Sequence, residues 1–420
     1  MNQLQTYTFT YLNTFARQFK TPVNNYLSER VNRLHESATI AMARISRELT
    51  EQGHNIISLS LGEPDFVTPK IICDAAKKAM DDGFTHYPPI SGFGDLRKAI
   101  AEKFKRENNL DFRPEQIVVS TGAKQSIANV VMCLINPGDE VIVPAPYWVS
   151  YSQVIELAGG KPVYIPSTIE NDFKPTAQQI KEAITPNTKM LIYSSPCNPT
   201  GSMFSKEDLK AIAEVVAPHP QIYILSDEIY EHIHFEMQHE SIAQFDFIKD
   251  RVIVVNGVSK GYAMTGWRIG YIGAPLEVAK ACDKMQGQFT SGANSIAQKA
   301  ALAAVSLDWK QFDFMRESFL KRRDLMLKLL HEIPGLKMNQ PHGAFYIFPD
   351  VSFYFGKKNG TITVNNATEL CMYLLSDAKV SVVTGEAFGD NNCVRFSYAT
   401  SEDLLTEAAK RIKESLAKLK

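Results

Sequence analysis

The chain has 420 residues and a mass of 47.0 kDa, a length that predicts two or three structural units at roughly 100–200 residues each. Apolar residues make up 45% and charged residues 22%, which excludes wholesale disorder and fibrous or mucin-like repeats. Forty-five basic against 46 acidic residues leave a net charge of -1, so nothing electrostatic points to nucleic acid or to an anionic membrane surface.

The first 30 residues form an expected N-terminal extension with no Asp and a single Glu, Glu29. They lack an apolar stretch of the kind a secretory signal needs, and Arg17, Lys20 and Arg30 give only a weak likeness to a transit peptide. A flexible or partly docked extension fits that composition better. Mean hydropathy is -0.17, and no apolar run approaches the roughly 18 residues of a membrane span.

From Gln116 onward, short β-branched runs recur, centred on Val118, Val141, Val163, Ile192, Ile224 and Val254, 22 to 32 residues apart. That spacing suits strand, crossover helix and loops, and predicts a buried, mostly parallel sheet. A seventh run, Ile269–Ile272, follows too soon for a full crossover helix and is expected to run antiparallel. Residues 277–333 read as helical up to Pro334-Gly335. Strand-like runs at Ala344–Phe348, Val380–Val383 and Val394–Tyr398 then alternate with helices near Ala367–Asp377 and Ser401–Lys418. The expected organisation is a large α/β domain over 76–325 and a smaller α+β domain over 326–420, the latter joined by segment 31–75.

The six cysteines are scattered without metal-ligand spacing and read as core thiols of a reducing, cytoplasmic compartment. His232, His234 and nearby His239 show no accompanying carboxylate ligand pattern and read as structural. The basic triplet Lys321-Arg322-Arg323, beside Glu317 and Asp324, reads as a solvated helix face.

Chemistry collects where parallel strands end, the edge at which open sheets bind ligands. The first strand runs into Thr121-Gly122-Ala123-Lys124, a glycine turn whose free N–H groups suit a phosphate. The second leads to Trp148, the fourth to Asn198-Pro199-Thr200-Gly201, the fifth to Asp227 and Tyr230, and the sixth to Ser259-Lys260. Singly, each has a dull reading as turn, cap, core ring or solvated lysine. Together, a lysine able to form a Schiff base, a carboxylate for a pyridinium nitrogen and a phosphate cradle describe a pyridoxal phosphate site.

These segments, with Leu61-Gly62-Glu63-Pro64-Asp65-Phe66, Tyr87-Pro88-Pro89, Met264–Gly270 and Val394-Arg395-Phe396-Ser397, resemble the fold type I, class I aminotransferases, specifically the bacterial-type aspartate aminotransferase subgroup. The likeness runs from Ser37 to Thr400. It implies an α/β fold with a seven-stranded sheet, and pyridoxal 5′-phosphate on Lys260, which would also move the substrate proton. It implies Asp227 at the pyridinium, Trp148 on the ring, Asn198 and Tyr230 at the phenolate oxygen, and Ala123, Lys124, Ser259 and Arg268 around the phosphate. Tyr87 would reach the phosphate of a second subunit, which implies a homodimer with shared sites. Arg395 would take the substrate α-carboxylate, with Gly62, Trp148 and Asn198 beside it.

Lys124, helped by Ser37 and Thr39, would receive a second substrate carboxylate, favouring aspartate, 2-oxoglutarate and also prephenate. Cys197, where relatives often carry Asn, would place an oxidisable thiol at the rim. A pyridoxal phosphate lyase, or a transaminase of aromatic or neutral amino acids, stays open as an alternative. A regulator built on an aminotransferase-like domain does not fit, because no helix-turn-helix pattern precedes Ser37.

Overall fold

The computed structural model of the chain describes residues 26–420. Most of the expected extension, including Arg17 and Lys20, lies outside the described residues.

The seven β-branched runs become one sheet: β1 (Ile117–Ser120), β2 (Glu140–Ala145), β3 (Lys161–Pro166), β4 (Thr188–Ser194), β5 (Tyr223–Asp227), β6 (Val252–Gly257) and β7 (Gly270–Gly273). Their order is β1-β7-β6-β5-β4-β2-β3. Neighbours from β6 to β3 pair in parallel, and β7 runs antiparallel to both β1 and β6, with Ile272 opposite Val118 and Val255.

Successive residues of the central strands bury into opposite cores. Val119, Ile142, Leu191, Ile224 and Val254 face one core; Val118, Val141, Ile192, Leu225 and Ile253 face the other. A strand covered on both faces has no polar side to alternate with, hence the unbroken apolar runs. Each such side chain contributes about 1.5–3 kcal/mol by leaving water.

Ahead of the sheet the chain forms α1 (Ala38–Glu51), α2 (Lys70–Asp81) and α3 (Gly94–Asn108). Between strands lie α4 (Ala123–Leu134), α5 (Ser150–Leu157), α6 (Ala177–Ala183) and α7 (Lys206–Val216). After it come α8 (Leu276–Phe289), α9 (Ser295–Ser306), α10 (Asp313–His331), α11 (Ala367–Tyr373) and α12 (Glu402–Leu416).

One crossover departs from expectation. The β5–β6 gap has room for a helix but holds turns and two single-turn 3-10 segments. Its length goes instead into reaching the C-terminal part of the chain. His234 bridges Gly343, Phe235 N donates to His342 O at 2.9 Å, and Ala344 N donates to Ile233 O at 2.8 Å.

That C-terminal part carries a second sheet of β8 (Tyr346–Ile347), β9 (Val383–Thr384) and β10 (Val394–Ser397), antiparallel in the order β9-β10-β8. Its core also takes Ala41, Met42 and Ile45 from α1 together with Ile57 and Leu59, while Ile57–Ser58 pairs in parallel with Val380–Ser381.

The basic triplet is a correction. Lys321 is exposed, but Arg322 and Arg323 are buried. Arg322 forms a two-pronged bond to Asp65 at 2.6 and 3.0 Å, and Arg323 pairs with Glu236 at 2.6 and 2.8 Å. The acids come from distant loops, so the helix's own sequence gave no sign of them. Each guanidinium is thus paired with a carboxylate and laid over an aromatic ring, Phe66 or Phe235, although Nε of Arg322 is left without a partner.

Of the three histidines, His232 lies in a turn, His234 forms the bridge to Gly343 and His239 lies in a loop. His232 stacks on Trp309 at 4.1 Å and contacts Glu107 of α3 at 3.0 Å. Glu107, Glu231 and His232 converge closely enough to hold a cation, contrary to the absence of carboxylates expected from local sequence. The cation there is Lys103, bonded to Glu231 and 3.5 Å from Glu107. Its attraction holds the Glu231 carboxyl far below the usual range despite burial.

Candidate active site

β1, β2, β4, β5 and β6 all end at one rim, and β7 begins there. A cavity of about 260 Å³ opens at this rim against the C-terminal sheet. Its walls include Ser37, Thr39, Gly62, Ala123, Lys124, Trp148, Asn198, Asp227, Tyr230, Ser259, Lys260, Arg268 and Arg395. Every site residue expected from sequence is brought together except Tyr87, which lies outside the cavity, 96% exposed.

Lys260, just past β6, points its amine at the Gly62 carbonyl and lies 5.6 Å from the Tyr230 ring. Burial pushes its pKa down to about 8, the nearby Arg395 and Arg268 adding to that and Glu63 opposing it. An amine so placed gives up its proton near neutrality, as a nucleophile or proton shuttle must.

Asp227 ends β5 and is 4% exposed. Burial lifts its pKa to about 6, although a hydrogen bond from Tyr151 Oη at 2.7 Å and one from Ile229 N at 3.3 Å stabilise the ionised form.

On the next wall, Gly122 adopts φ 82° before α4. A Cβ there would lie 2.3 Å from Arg268 Nη2, so only glycine lets that guanidinium rest on the helix entrance. A Cβ on Gly270 would lie 2.1 Å from Ala123 N, which ties β7 to the same turn. The N-terminus of α4 with Arg268, Ser259 and Lys124 is a built anion cradle. Lys124 sits 5.1 Å over the Trp148 ring, its pKa lowered by burial and by Arg268.

Arg395 of β10 is 1% exposed and lies between the rings of Tyr346 and Phe388, at 4.6 and 4.9 Å. It donates to Asn198 Oδ1 at 2.9 Å and to Ser60 O at 2.6 Å, while its Nε has no partner. Both acceptors are neutral, and among the described residues no carboxylate pairs with this buried cation. Leaving such a charge uncompensated is costly, so the pocket is built to receive an anion.

The chain matches the model of the aminotransferase class I and II family over residues 54–412. The chain belongs to this family. It is 46% identical over 406 residues, 96% of this chain and 85% of the relative, to the bifunctional aspartate aminotransferase and glutamate/aspartate-prephenate aminotransferase of Petunia hybrida. Among solved structures, the aspartate aminotransferase of Rhizobium meliloti superposes with a TM-score of 0.91 at 41% identity, covering 94% of this chain and 99% of that one. The Thermus thermophilus aspartate aminotransferase with maleate gives 0.87 at 40%, covering 93% and 99%.

Aminotransferases of this family work with pyridoxal 5′-phosphate, and the cavity fits it. The anion cradle, the aromatic face of Trp148, the buried Asp227 acid and the low-pKa Lys260 amine are the groups its phosphate, ring, ring nitrogen and aldehyde require.

Two residues of the site escaped the sequence reading. Tyr151 lies one helical turn beyond Trp148, where an i,i+3 pair shares a face, and that spacing was the available sign. Tyr346 shares a hydroxyl contact of 2.7 Å with Tyr230 and flanks Arg395. Its place depends on the C-terminal sheet docking at the rim, which no local pattern announces. Cys197 stands apart from the cavity, in the wall of a smaller one beside Pro146 and Tyr193. Its thiol turns toward the Pro146 carbonyl, and burial raises its pKa, which lowers the share of the reactive thiolate.

Proposed function

We propose that this chain is an aspartate aminotransferase that passes the amino group of L-aspartate to 2-oxoglutarate in a ping-pong cycle, with a site that also fits prephenate. The observation that carries this reading is Arg395, a buried guanidinium with neutral partners and an unpartnered Nε, in the wall of a cavity that holds a second cation, Lys124. Two cations suit a substrate with two carboxylates, which a lyase of neutral amino acids has no need of. The Petunia relative is named for aspartate, glutamate and prephenate, and each of these carries two carboxylates.

In this reading the cofactor supplies an electron sink for the bond broken at the substrate Cα. Lys260 Nζ takes up the Cα proton, as its depressed pKa allows. Asp227, ionised at neutral pH, holds a proton on the ring nitrogen, and Tyr151 keeps that carboxylate aimed. Trp148 covers the ring, Tyr230 and Asn198 serve the phenolate oxygen, and Ala123, Lys124, Ser259 and Arg268 bind the phosphate. Arg395, with Asn198, Trp148 and the Gly62 backbone, orients the α-carboxylate. Ser37 belongs here too, since as the N-cap of α1 its hydroxyl makes no cap bond and is free for a ligand; with Thr39 and Lys124 it meets the distal carboxylate.

The reading extends to a homodimer. Val67, 89% exposed, lies beside an open depression that also holds Thr121 and Arg268, and Tyr87 is fully open nearby in sequence. A second copy covering this face would carry its Tyr87 to the phosphate. The cores on the two faces of the large sheet support a large domain over 76–325, and the core around the C-terminal sheet supports a small one over 31–75 with 326–420. The cysteines, all free thiols, fit a reducing, cytoplasmic setting.

The test is the visible absorption of the purified holoenzyme. L-Aspartate alone should bleach the band of the bound cofactor, and 2-oxoglutarate, oxaloacetate or prephenate should restore it. No response to aspartate would move the assignment to another substrate class.

A further inference from the structure

α4 and α8 pack side by side behind the phosphate cradle, joined by a ladder of polar contacts at one-turn intervals. Gln125 Nε2 donates to Thr290 Oγ1 at 2.7 Å, and Asn129 Nδ2 donates to Gln286 Oε1 at 3.0 Å. Four residues forward along α4 correspond to four residues back along α8, so the helices run antiparallel. The next rung therefore pairs residue 133 with residue 282, and both are cysteines. Both side chains lie at the same core behind the sheet, so the two thiols face each other across the seam between the helices.

The two sulfurs are not equivalent. Cys282 is 0% exposed, inside the core formed by Val130, Val131 and Ile272, whereas Cys133 is half-buried at that core's edge. The neighbouring Cys282 lowers the pKa of the Cys133 thiol, and Cys133 together with burial raises that of Cys282. A thiol that is both nearer to solvent and more easily ionised reacts first; its sheltered neighbour can only resolve the product.

We propose that Cys133 and Cys282 form a reversible oxidation site, a dithiol that a peroxide converts into a disulfide stapling α4 to α8. The Cys133 thiolate attacks the O–O bond of hydrogen peroxide. One oxygen stays on sulfur as the sulfenic acid, and the other leaves as hydroxide and takes up a proton to become water. Cys282 sulfur then attacks Cys133 sulfur, the S–S bond forms, the S–O bond breaks, and the hydroxyl departs as a second water with the Cys282 proton. Two thiols lose two electrons while one peroxide becomes two waters. A small dithiol reverses the bond by exchange. The staple sits at the end of α4 remote from Gly122–Lys124, so it locks the helix without entering the cofactor cavity.

The experiment treats the holoenzyme with near-stoichiometric hydrogen peroxide, blocks remaining thiols without reduction, and maps peptides by mass spectrometry. The expected product is one cross-linked pair containing Cys133 and Cys282, two hydrogens lighter than the free peptides, and lost on adding dithiothreitol. In Cys282→Ala, Cys133 should proceed to the sulfinic acid; in Cys133→Ser, Cys282 should remain a free thiol at the same dose. Retention of the cofactor's visible band confirms that each variant is folded. Wild-type Cys133 recovered as sulfinic acid without the cross-link overturns the proposal. So does a cross-link from Cys133 to another cysteine, or a pair left intact when Cys73 is oxidised.

Discussion

Removing one hydroxyl, in Tyr151→Phe, tests whether Asp227 acts as a tuned anion. Tyr151 Oη donates to Asp227 Oδ2 at 2.7 Å inside the protein, and Asp227 already sits at about 6 because burial disfavours its charge. A hydrogen bond to a buried charged group contributes about 1.5–3 kcal/mol, and one pKa unit corresponds to about 1.4 kcal/mol, so its loss should raise Asp227 by ~1–2 units. The sign follows: raising the pKa of an acid enlarges the pH range in which it is neutral and useless to a pyridinium. If cofactor binding requires the ionised acid, the variant's dissociation constant for pyridoxal phosphate should exceed the wild-type value by about 10–100-fold at pH 5. The ratio should fall to about 2–10-fold at pH 7 and vanish near pH 9, where both proteins carry the carboxylate. Taking the ratio cancels the titrations of Lys260 and of the cofactor, which both proteins share. The assay is a titration of apoprotein with pyridoxal phosphate, followed by its visible band at each pH. A ratio that stays flat across this range refutes the argument, because it would mean that Tyr151 acts by packing rather than on the charge of Asp227.

Lys260→Ala should abolish transamination while far-UV circular dichroism stays unchanged, since among the described residues the amine's one hydrogen bond is to the Gly62 carbonyl; substantial turnover would remove Lys260 from the proton transfer. Lys124→Ala should lower kcat/KM for aspartate more than for alanine, and equal losses would restrict Lys124 to the phosphate. Arg322→Ala strands Asp65, whose side chain is 31% exposed, so the cost should be about 2 kcal/mol, short of the 3–5 expected for a fully buried pair. Urea unfolding measures it, and an unchanged midpoint would return Arg322 to the solvated face first read from sequence.

The contrast between Lys260 and Arg322 shows which parts of this molecule are legible in its sequence. Lys260, Asp227 and Trp148 stand at the ends of strands whose apolar runs mark them unmistakably, and a parallel sheet delivers its strand ends to one rim whatever the loops do. Even the reversal of β7 was legible, because the chain between Lys260 and Ile269 is too short to cross the sheet and return. Arg322, Tyr346 and the carboxylates around His232 depend on which loop meets which helix. Their partners Asp65, Tyr230 and Glu107 lie 257, 116 and 125 residues away. Local spacing carries nothing about contacts of that range, and the same long-range docking diverted the β5–β6 connection from a helix into a link between sheets. Arg395 lies between these cases. Its residue type and neighbours suggested a carboxylate receptor, but only the folded chain leaves it without a carboxylate partner among the described residues and with its Nε unpartnered. That unpaired charge, more than any motif, indicates what the cavity binds, because the chain bears the cost of burying it until an anionic ligand arrives.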